Sequence, residues 1–313
     1  MFRALTRRLD SLIGALRGTE QARQALEHRL HLIEERLRVM EHFDQGGRAT
    51  YVGGGLVLVK CVVRGIQIVY LVDGKDRLLS PWFIASGAYE TDLTEFFVRT
   101  LRPEDRCLDV GANFGYFTCL FARFAPRGRV IGVEPEPAVF VLLRDNVYGN
   151  GLQGIAEAVQ AAVSDRPGRA TLHRRVGRAG NTSIVRADDA FVASLGEPPP
   201  EAFEVGAVTI DSLAARLGGR LDIMKVDVEG AEPLVFAGAR ETIAANPGLQ
   251  IVMEWSPLQI RSAGFDLGVF LSDLEAMGLR FFDIEGGQTT PLTREALLAL
   301  DYRGGILIAR EPR

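Results

Sequence analysis

The stretch RCLDVGANFGYF, residues 106–117, decides the fold of this chain. Residues 107–110 form a short apolar run that predicts a buried strand, with Asp109 close to its end. The sequence GANFG, residues 111–115, follows as a tight turn, and the apolar run 116–124 predicts a helix. Because small residues let backbone N–H groups approach a ligand at a helix N-terminus, this turn predicts a binding site.

A second strand and an acidic residue complete the pattern of a nucleoside site. Residues 130–133 predict the next strand, and Glu134 follows directly. A βαβ nucleotide site places a ribose-binding carboxylate about 20 residues after its glycine turn, where Glu134 stands. The sequence therefore predicts a nucleoside pocket made by strand, turn, helix, strand and acid.

The glycine spacing indicates which nucleoside binds. Dinucleotide folds use G-x-G-x-x-G because a pyrophosphate rests on the helix start. Here the pattern is D-x-G-x-N-x-G, with Asn113 at a position where a pyrophosphate turn needs glycine. A cofactor without phosphates fits better, and S-adenosylmethionine (SAM), with its ribose and charged amino-acid tail, is of that kind. The same five residues also suit a plain strand-to-helix turn that binds nothing.

The bulk composition favours a globular chain and argues against several classes of protein. With 313 residues, 47% of them hydrophobic, there is room for one large α/β domain and an appendage. The net charge of −4 offers no basic surface for nucleic acid. Three cysteines without C-x-x-C spacing predict buried thiols in a reducing compartment. There is no signal-peptide pattern, and Lys60 and Arg64 interrupt the most apolar stretch, so we expect a cytoplasmic protein.

A heptad pattern runs through residues 1–43. Its two seams begin at Phe2 and Leu5 and end at Leu37 and Met40, which favours a coiled coil and a homo-oligomer. Two alternatives stay open. The helix packs on its own catalytic domain, or the basic residues near Phe2 make it a peripheral membrane anchor.

The rest of the chain predicts an α/β fold. Residues 1–45 are a coiled-coil helix, 46–85 a β-rich segment with hairpins over 51–72, and 86–313 the catalytic domain. In that domain we predict a third strand at 159–163, two strands around a turn at 180–183, and closing strands at 280–284 and 305–309. Alternating strands and helices mean a mostly parallel sheet with helices on both faces. Ligands of such sheets bind at the strand carboxyl ends, where these acids collect: Asp109, Glu134, Asp227, Glu229 and Glu254.

Several blocks of sequence resemble the FkbM-type SAM-dependent methyltransferases. They are DVGANFGYFT, VIGVEPEP, AAVSD, VTIDSL, MKVDVEGAE and ILIAR, within residues 87–309, preceded by G-x-Y-E at 87–90. The resemblance implies a Rossmann-like class I methyltransferase with a seven-stranded sheet whose last strand is antiparallel. It also implies methylation of hydroxyl groups on sugars, glycans or small metabolites. The coiled coil lies outside the family pattern.

The strand at 221–228 supplies the predicted catalytic residues. Asp227 and Glu229 stand two residues apart, so in extended backbone both point to one side. The family pattern places this strand end beside the methyl group, where Asp227 serves as base or substrate ligand and Glu229 supports it. Glu229 suits capping of the next helix equally well. Lys225, inside an apolar strand, needs either a carboxylate partner or a substrate contact.

The predicted cofactor-binding set is larger: Glu90, Asp109, Gly111, Ala112, Asn113, Gly115, Glu134, Asn146, Ala162 and Asp227. We predict no metal site. Asp227 and Glu254 suit a divalent cation, but the sequence shows no obvious third ligand. Of the four histidines, His173 is the one that we expect could reach the site.

Other functions fit the sequence less well. Asn113 opposes an oxidoreductase, and the block after residue 226 lacks the aromatic residue that stacks a base in nucleic-acid methyltransferases. A catalytically inert scaffold, assembled through the coiled coil, is the alternative from another class. The acids at every strand end favour the enzyme.

Overall fold

A computed structural model describes residues 49–76, 79–175, 178–186 and 198–313. The predicted coiled coil over residues 1–43 lies outside these ranges, and so does the boundary at residue 45. In the described ranges, no helix combines the length and the apolarity needed to cross a membrane.

The elements follow one another in this order. The first half comprises β1 (Ala49–Gly53), β2 (Leu56–Val63), β3 (Ile66–Asp73), α1 (Leu79–Ser86), α2 (Thr91–Thr100), β4 (Arg106–Val110), α3 (Tyr116–Phe124), β5 (Arg129–Val133), α4 (Pro137–Gly149), β6 (Ala156–Val159), β7 (Ala162–Val163), β8 (Gly168–Arg175) and β9 (Arg178–Ser183). The second half comprises β10 (Glu201–Val208), α5 (Ile210–Arg216), β11 (Ile223–Val226), α6 (Glu232–Ala237), α7 (Arg240–Ala245), β12 (Gln250–Trp255), α8 (Pro257–Ser262), α9 (Leu267–Ala276), β13 (Arg280–Glu285), β14 (Gln288–Leu292), α10 (Arg294–Ala299) and β15 (Arg303–Ala309).

The central sheet has the strand order β14-β13-β15-β12-β11-β4-β5-β6. Strands β12, β11, β4, β5 and β6 are parallel, and β15 enters antiparallel between β12 and β13. Alternate residues face opposite sides, so that Cys107 packs under α3 while Leu108 packs in the core of the other face. The carboxyl ends of the parallel strands therefore meet at one edge.

The sheet has eight strands rather than the predicted seven. The additional strand, β14, pairs antiparallel with β13 at the outer edge. Its sequence QTTPL shows no apolar alternation. Pro291 has no N–H to donate to a neighbouring strand, but proline is tolerated in an edge strand such as this one. Pairing with β13 imposes the strand where local sequence does not indicate one.

Two further predictions differ from the structure. The single strand expected at 159–163 is split: β6 pairs with β5, whereas β7 pairs with β10 in a separate sheet of order β7-β10-β8-β9. Residues 180–183, expected as a turn, belong to β9, the edge strand of that second sheet. Small polar residues indicate a turn locally, yet Thr182 and Ser183 pair with Arg174 and His173 of β8. The register shifts between Arg174 and Arg175, so residues 180 and 181 lie in an irregular part of β9.

The β-rich segment shares a hydrophobic core with the catalytic domain. Strands β1, β2 and β3 form an antiparallel sheet whose inner face includes Cys61 and Tyr70, both fully buried. Tyr70 stacks on Tyr116 of α3 at 5.2 Å between ring centroids. The Asn146 side chain of α4 also pairs with both backbone groups of Leu71. The small sheet is thus fastened to α3 and α4, directly behind the glycine turn.

Candidate active site

A cleft of about 480 Å³ opens at the carboxyl edge of the parallel strands. Ten of the twelve predicted site residues line it: Glu90, Asp109, Gly111, Ala112, Asn113, Glu134, Ala162, Lys225, Asp227 and Glu229. The topology brings them together because β4, β5 and β11 all end at this edge.

The glycine turn is shaped by one close approach. Gly111 has a φ of 78°, and a Cβ there would lie 1.7 Å from the carbonyl oxygen of Asp227. Only glycine therefore fits between β4 and the loop after β11. The N–H groups of Gly111 and Ala112 both donate to the carbonyl oxygen of Val133, at 3.0 and 2.9 Å. The turn is thus fixed against the two neighbouring strands.

Gly115 and Asn146, predicted to bind the cofactor, do not line the cleft. A Cβ on Gly115 would lie 2.6 Å from the Leu143 side chain, so this glycine permits α3 to pack closely on α4. The Asn146 amide donates to the carbonyl oxygen of Phe114 at 2.7 Å and lies behind the turn. Both residues stabilise the turn, and neither lies where it could contact a ligand in the cleft. His173 does not line the cleft either.

Glu134 is positioned for a donor pair such as the ribose hydroxyls. Its side chain is buried and accepts the N–H groups of Asn113 and Glu136, both at 2.9 Å. Each oxygen keeps a second acceptor position. Burial raises the pKa of Glu134 to about 8. A cationic ligand would favour its ionised form.

Asp109 carries a buried atom without a partner. Thr118 Oγ1 donates to Asp109 Oδ2 at 2.6 Å, whereas Oδ1 has no hydrogen-bond partner among the described residues. Burial raises the pKa of Asp109, with Lys225 opposing it. An unpaired carboxylate oxygen at the cleft wall is typical of a site that is completed by a ligand donor.

Lys225 is paired with Asp227 inside the cleft. Lys225 Nζ lies 2.8 Å from Asp227 Oδ2 and 5.0 Å from the centroid of the Phe117 ring. Burial would lower the pKa of Lys225, but the carboxylates of Asp227 and Glu90 outweigh it and raise that pKa above its ordinary value. The ion pair keeps a positive charge under Asp227 and holds this carboxylate in place.

Glu90 stands in a strained backbone position at the start of α2. Its φ of 39° is in the left-handed region, which non-glycine residues adopt at a cost. Its Oε2 atom is buried without a hydrogen-bond partner in the described part of the chain. Burial raises the pKa of Glu90 to about 7, while Lys225 lowers it. Glu90 thus contributes to the cleft a carboxyl oxygen that has no hydrogen-bond partner among the described residues.

A second group of acids follows β11 and β12. Tyr302 donates its hydroxyl to Glu254 Oε1 at 2.8 Å, and Glu254 Oε2 has no partner among the described residues. Gln259 donates to the Glu229 carboxylate. Glu232, the first residue of α6, accepts the N–H groups of Val228 and Gly230 in the loop before the helix. The N-cap of α6 is Ala231, so the capping role that the sequence left open for Glu229 is not observed.

Asp227, Glu229 and Glu254 each place a carboxylate oxygen within 4.8 Å of the others. The structure thus supplies the third oxygen ligand that the sequence did not show. Hard oxygen ligands suit Mg²⁺ or Ca²⁺. Nothing other than the acids themselves points to an ion, so we describe the trio as a region of negative charge.

The cleft residues that the sequence analysis did not name as site residues include Trp82, Tyr89, Leu172, Thr182, Ile184 and Tyr302. Tyr89 could have been predicted from the sequence, because it belongs to the G-x-Y-E block. Tyr302 could not have been predicted, because it lies far from Glu254 in sequence and no motif surrounds it. Trp82, Thr182 and Ile184 come from segments whose position over the cleft depends on tertiary packing.

A family profile described as "Methyltransferase FkbM domain" matches residues 109–281, more than half of the chain. The chain belongs to the FkbM methyltransferase family. The matched segment runs from Asp109 to β13 and includes both the glycine turn and the Lys225–Asp227 pair.

Individual relatives are more distant. Methyltransferase sdnD of Sordaria araneosa is 28% identical over 176 residues, which cover 49% of this chain and 68% of that protein. The 31-O-demethyl-FK506 methyltransferase FkbM of Streptomyces tacrolimicus is 30% identical, covering 45% and 62%. The 2-O-methyltransferase NoeI of Sinorhizobium fredii is 27% identical, covering 45% and 60%. The chain thus spans about two thirds of the length of these relatives, or somewhat less.

Among solved structures, methyltransferase FkbM from Methylobacillus flagellatus is 12% identical and covers 72% of this chain and 52% of that one. The TM-score between the two is 0.42.

Proposed function

We propose that this FkbM-family protein is a SAM-dependent O-methyltransferase acting on a hydroxyl group of a sugar, a glycan or a small metabolite. One observation carries the proposal. A single cleft holds the glycine turn with Glu134 on one side and the Lys225-paired Asp227 on the other. Two named relatives, FkbM of Streptomyces tacrolimicus and NoeI, carry an oxygen position in their names, which supports methyl transfer to oxygen.

The residues present fit SAM. Glu134 would hold the ribose hydroxyls, and the unpaired oxygens of Asp109 and Glu90 would take donors of the amino-acid tail. The surplus of carboxylates suits a cofactor with a positively charged sulfur. When bound, SAM supplies an electrophilic methyl group.

Asp227 is the proposed recipient of the acceptor's proton. An alcohol is a poor nucleophile, and a carboxylate at its hydroxyl assists its attack. Asp227 is half-buried, lines the cleft, and is held by Lys225 at 2.8 Å. Because Glu134, Asp109 and the glycine turn suffice for the cofactor, Asp227 is left to face the acceptor. Glu229 and Lys225 would support it.

The test uses SAM with a deuterated methyl group and a panel of neutral glycosides and polyhydroxylated metabolites. Mass spectrometry would detect the labelled ether. We expect Asp227→Asn to lower turnover by about 10²–10⁴ and to leave SAM affinity within about threefold. A collapse of SAM affinity with turnover preserved at saturating SAM would make Asp227 a cofactor residue. An absence of ether from every hydroxylated compound, despite SAM binding, would contradict methyl transfer to oxygen.

We further propose that residues 1–43 join copies of the chain, and that the protein is cytoplasmic. The heptad register supports the first proposal. Three free, buried cysteines, Cys61, Cys107 and Cys119, suit a reducing compartment and support the second. Light scattering on the full chain with the seam substitutions Leu30→Glu and Ile33→Glu should show a lower mass than with His31→Glu. A full-length monomer would favour packing on the catalytic domain or a peripheral membrane contact.

A further inference from the structure

Trp82 stands exposed at the mouth of the cleft. The chain has two tryptophans, and they differ sharply. Trp255 is fully buried and donates its Nε1–H to the carbonyl oxygen of Leu297 at 3.0 Å. Trp82 is 63% exposed and lines the cleft. A large aromatic face in contact with solvent, beside a cleft, is typical of a surface that packs against a ligand.

The helix that carries Trp82 is held rigidly. Phe83, the next residue, is fully buried and packs edge-on against Tyr70 at 5.5 Å between ring centroids. Asp76 accepts the N–H groups of Leu79 and Ser80 at the start of α1. Because Phe83 anchors the buried side of α1, the backbone of Trp82 is placed beside the cleft with its side chain exposed.

Another part of the cleft wall is fastened to the loop that carries Asp227 and Glu229. Thr182 and Ile184, at the end of β9, line the cleft and are half-buried. Between them, Ser183 donates its hydroxyl to the carbonyl oxygen of Glu229 at 2.7 Å. A molecule in contact with both Trp82 and this wall would therefore border the loop that carries Asp227 and Glu229.

The charge of the cleft restricts what this molecule can be. Six acids line the cleft, namely Glu90, Asp109, Glu134, Asp227, Glu229 and Glu254. Across the described residues that line it, Lys225 is the one basic side chain, and Asp227 already pairs with it. Burial raises the pKa of Glu90 to about 7 and that of Glu134 to about 8, so part of these carboxyl groups is protonated near neutral pH. The ionised carboxylates would still repel an anionic acceptor, and the described lining has no free cation to offset this cost in affinity. Carboxylates accept hydrogen bonds well from neutral hydroxyl groups.

We propose that Trp82 is the platform for the methyl acceptor, on which an uncharged, polyhydroxylated ring stacks with its apolar face. The hydroxyl groups on the ring's edge then face the acids around Asp227. The negative charge of the cleft lowers the affinity for phosphorylated and carboxylated sugars. The inference rests on the proposed function and names the substrate class and a specificity residue for it.

Saturation-transfer NMR tests this inference with a matched pair of probes, methyl β-D-glucopyranoside and methyl β-D-glucuronide. The protein is saturated with S-adenosylhomocysteine, and its aromatic protons are irradiated. We expect saturation to reach the ring protons of one face of the glucoside, and at least about fivefold less to reach the glucuronide. Trp82→Ala should lower the glucoside signal at least about fivefold, and Trp82→Phe should keep part of it.

Tyr148→Ala is the control, because Tyr148 is 61% exposed and lies outside the cleft lining. An unchanged signal in Trp82→Ala, equal signals from both probes, or no transfer from the glucoside overturns the inference. Calorimetry with SAM on the same samples distinguishes a failure of the Trp82 inference from a failure of the proposed function. If SAM binds wild type and Trp82→Ala alike, the proposed cofactor function survives such a failure. If SAM does not bind, the proposed function itself fails.

Discussion

At the scale of single residues, the site is organised around one buried ammonium group. Lys225 lies opposite Asp109 in the β11–β4 register and reaches Asp227 two residues on. The sequence predicted the acids at the strand ends, because strand-end position follows from the apolar runs. It left the partner of Lys225 open, because strand register and side-chain direction are set only in the folded sheet. The proximity of Glu254 to Glu229 could not be predicted either, because it too depends on strand register and side-chain direction.

We predict that Lys225→Met destabilises the protein by about 3 kcal/mol. The substitution leaves Asp227 and Asp109 without their cation in a buried setting. Urea unfolding at pH 7.5 measures the loss. Part of it should return as pH falls to about 5, because burial raises the pKa of Asp109 and protonation removes its uncompensated charge.

Arg144→Met is the matched control for this prediction. Arg144 and Asp145 form an exposed pair at 2.8 Å, which should contribute less than about 1 kcal/mol. Equal losses in the two variants would mean that the Lys225–Asp227 pair behaves like a surface pair.

At the scale of elements, local chemistry predicted those segments whose pattern agrees with their tertiary setting. Strand β4, the GANFG turn and α3 fall as expected, because an apolar run, small turn residues and a helical run all agree. Strand β14 and the end of β9 at Thr182 and Ser183 were mispredicted, because sheet pairing overrides polar or turn-forming sequence. The single strand predicted at 159–163 is divided because β6 pairs with β5 whereas β7 pairs with β10.

We predict that Gly111→Ala abolishes SAM binding and lowers the melting temperature. An added Cβ would meet the Asp227 carbonyl oxygen at 1.7 Å, and the φ of 78° disfavours alanine. Thermal unfolding and calorimetry measure the two effects. Gly149→Ala is the control, since a Cβ there meets nothing within 4 Å. Wild-type SAM affinity in Gly111→Ala would show that the close approach of β4 to the Asp227 loop is dispensable.

At the scale of the whole molecule, the order of apolar runs predicted the sheet with helices on both faces. It did not predict that the β-rich segment would share a core with α3. Alternating patterns show that β2 and β3 each have a buried face, but not what covers it. The Tyr70–Phe83–Phe114 aromatic cluster, which covers it here, joins residues far apart in sequence.

We predict that the ligand-free protein loses stability as pH rises from about 5 to about 8. Burial raises the pKa of Glu90 and Glu232 to about 7 and that of Glu134 to about 8, against 4.5 for an ordinary glutamate. Between these values the native state binds more protons than the unfolded state, so unfolding free energy falls with pH. Urea titrations at pH 5, 6.5 and 8 measure the slope.

Glu232→Gln should flatten this slope, because it removes one of the raised pKa values without changing a residue that lines the cleft. Stability that rises over the same range would show that these carboxyl groups are ionised at pH 5 in the folded protein.

The most direct test of the account is calorimetric titration of SAM into the full chain at pH 8. We expect one SAM per chain, and at least tenfold weaker binding by Glu134→Ala, because each hydrogen bond to a charged group contributes about 1.5–3 kcal/mol. Glu157→Ala, which removes an exposed carboxylate paired with Arg216, should bind as the wild type does. No binding by the wild type, or an unchanged Kd in Glu134→Ala, would contradict a SAM site built on the GANFG turn and Glu134.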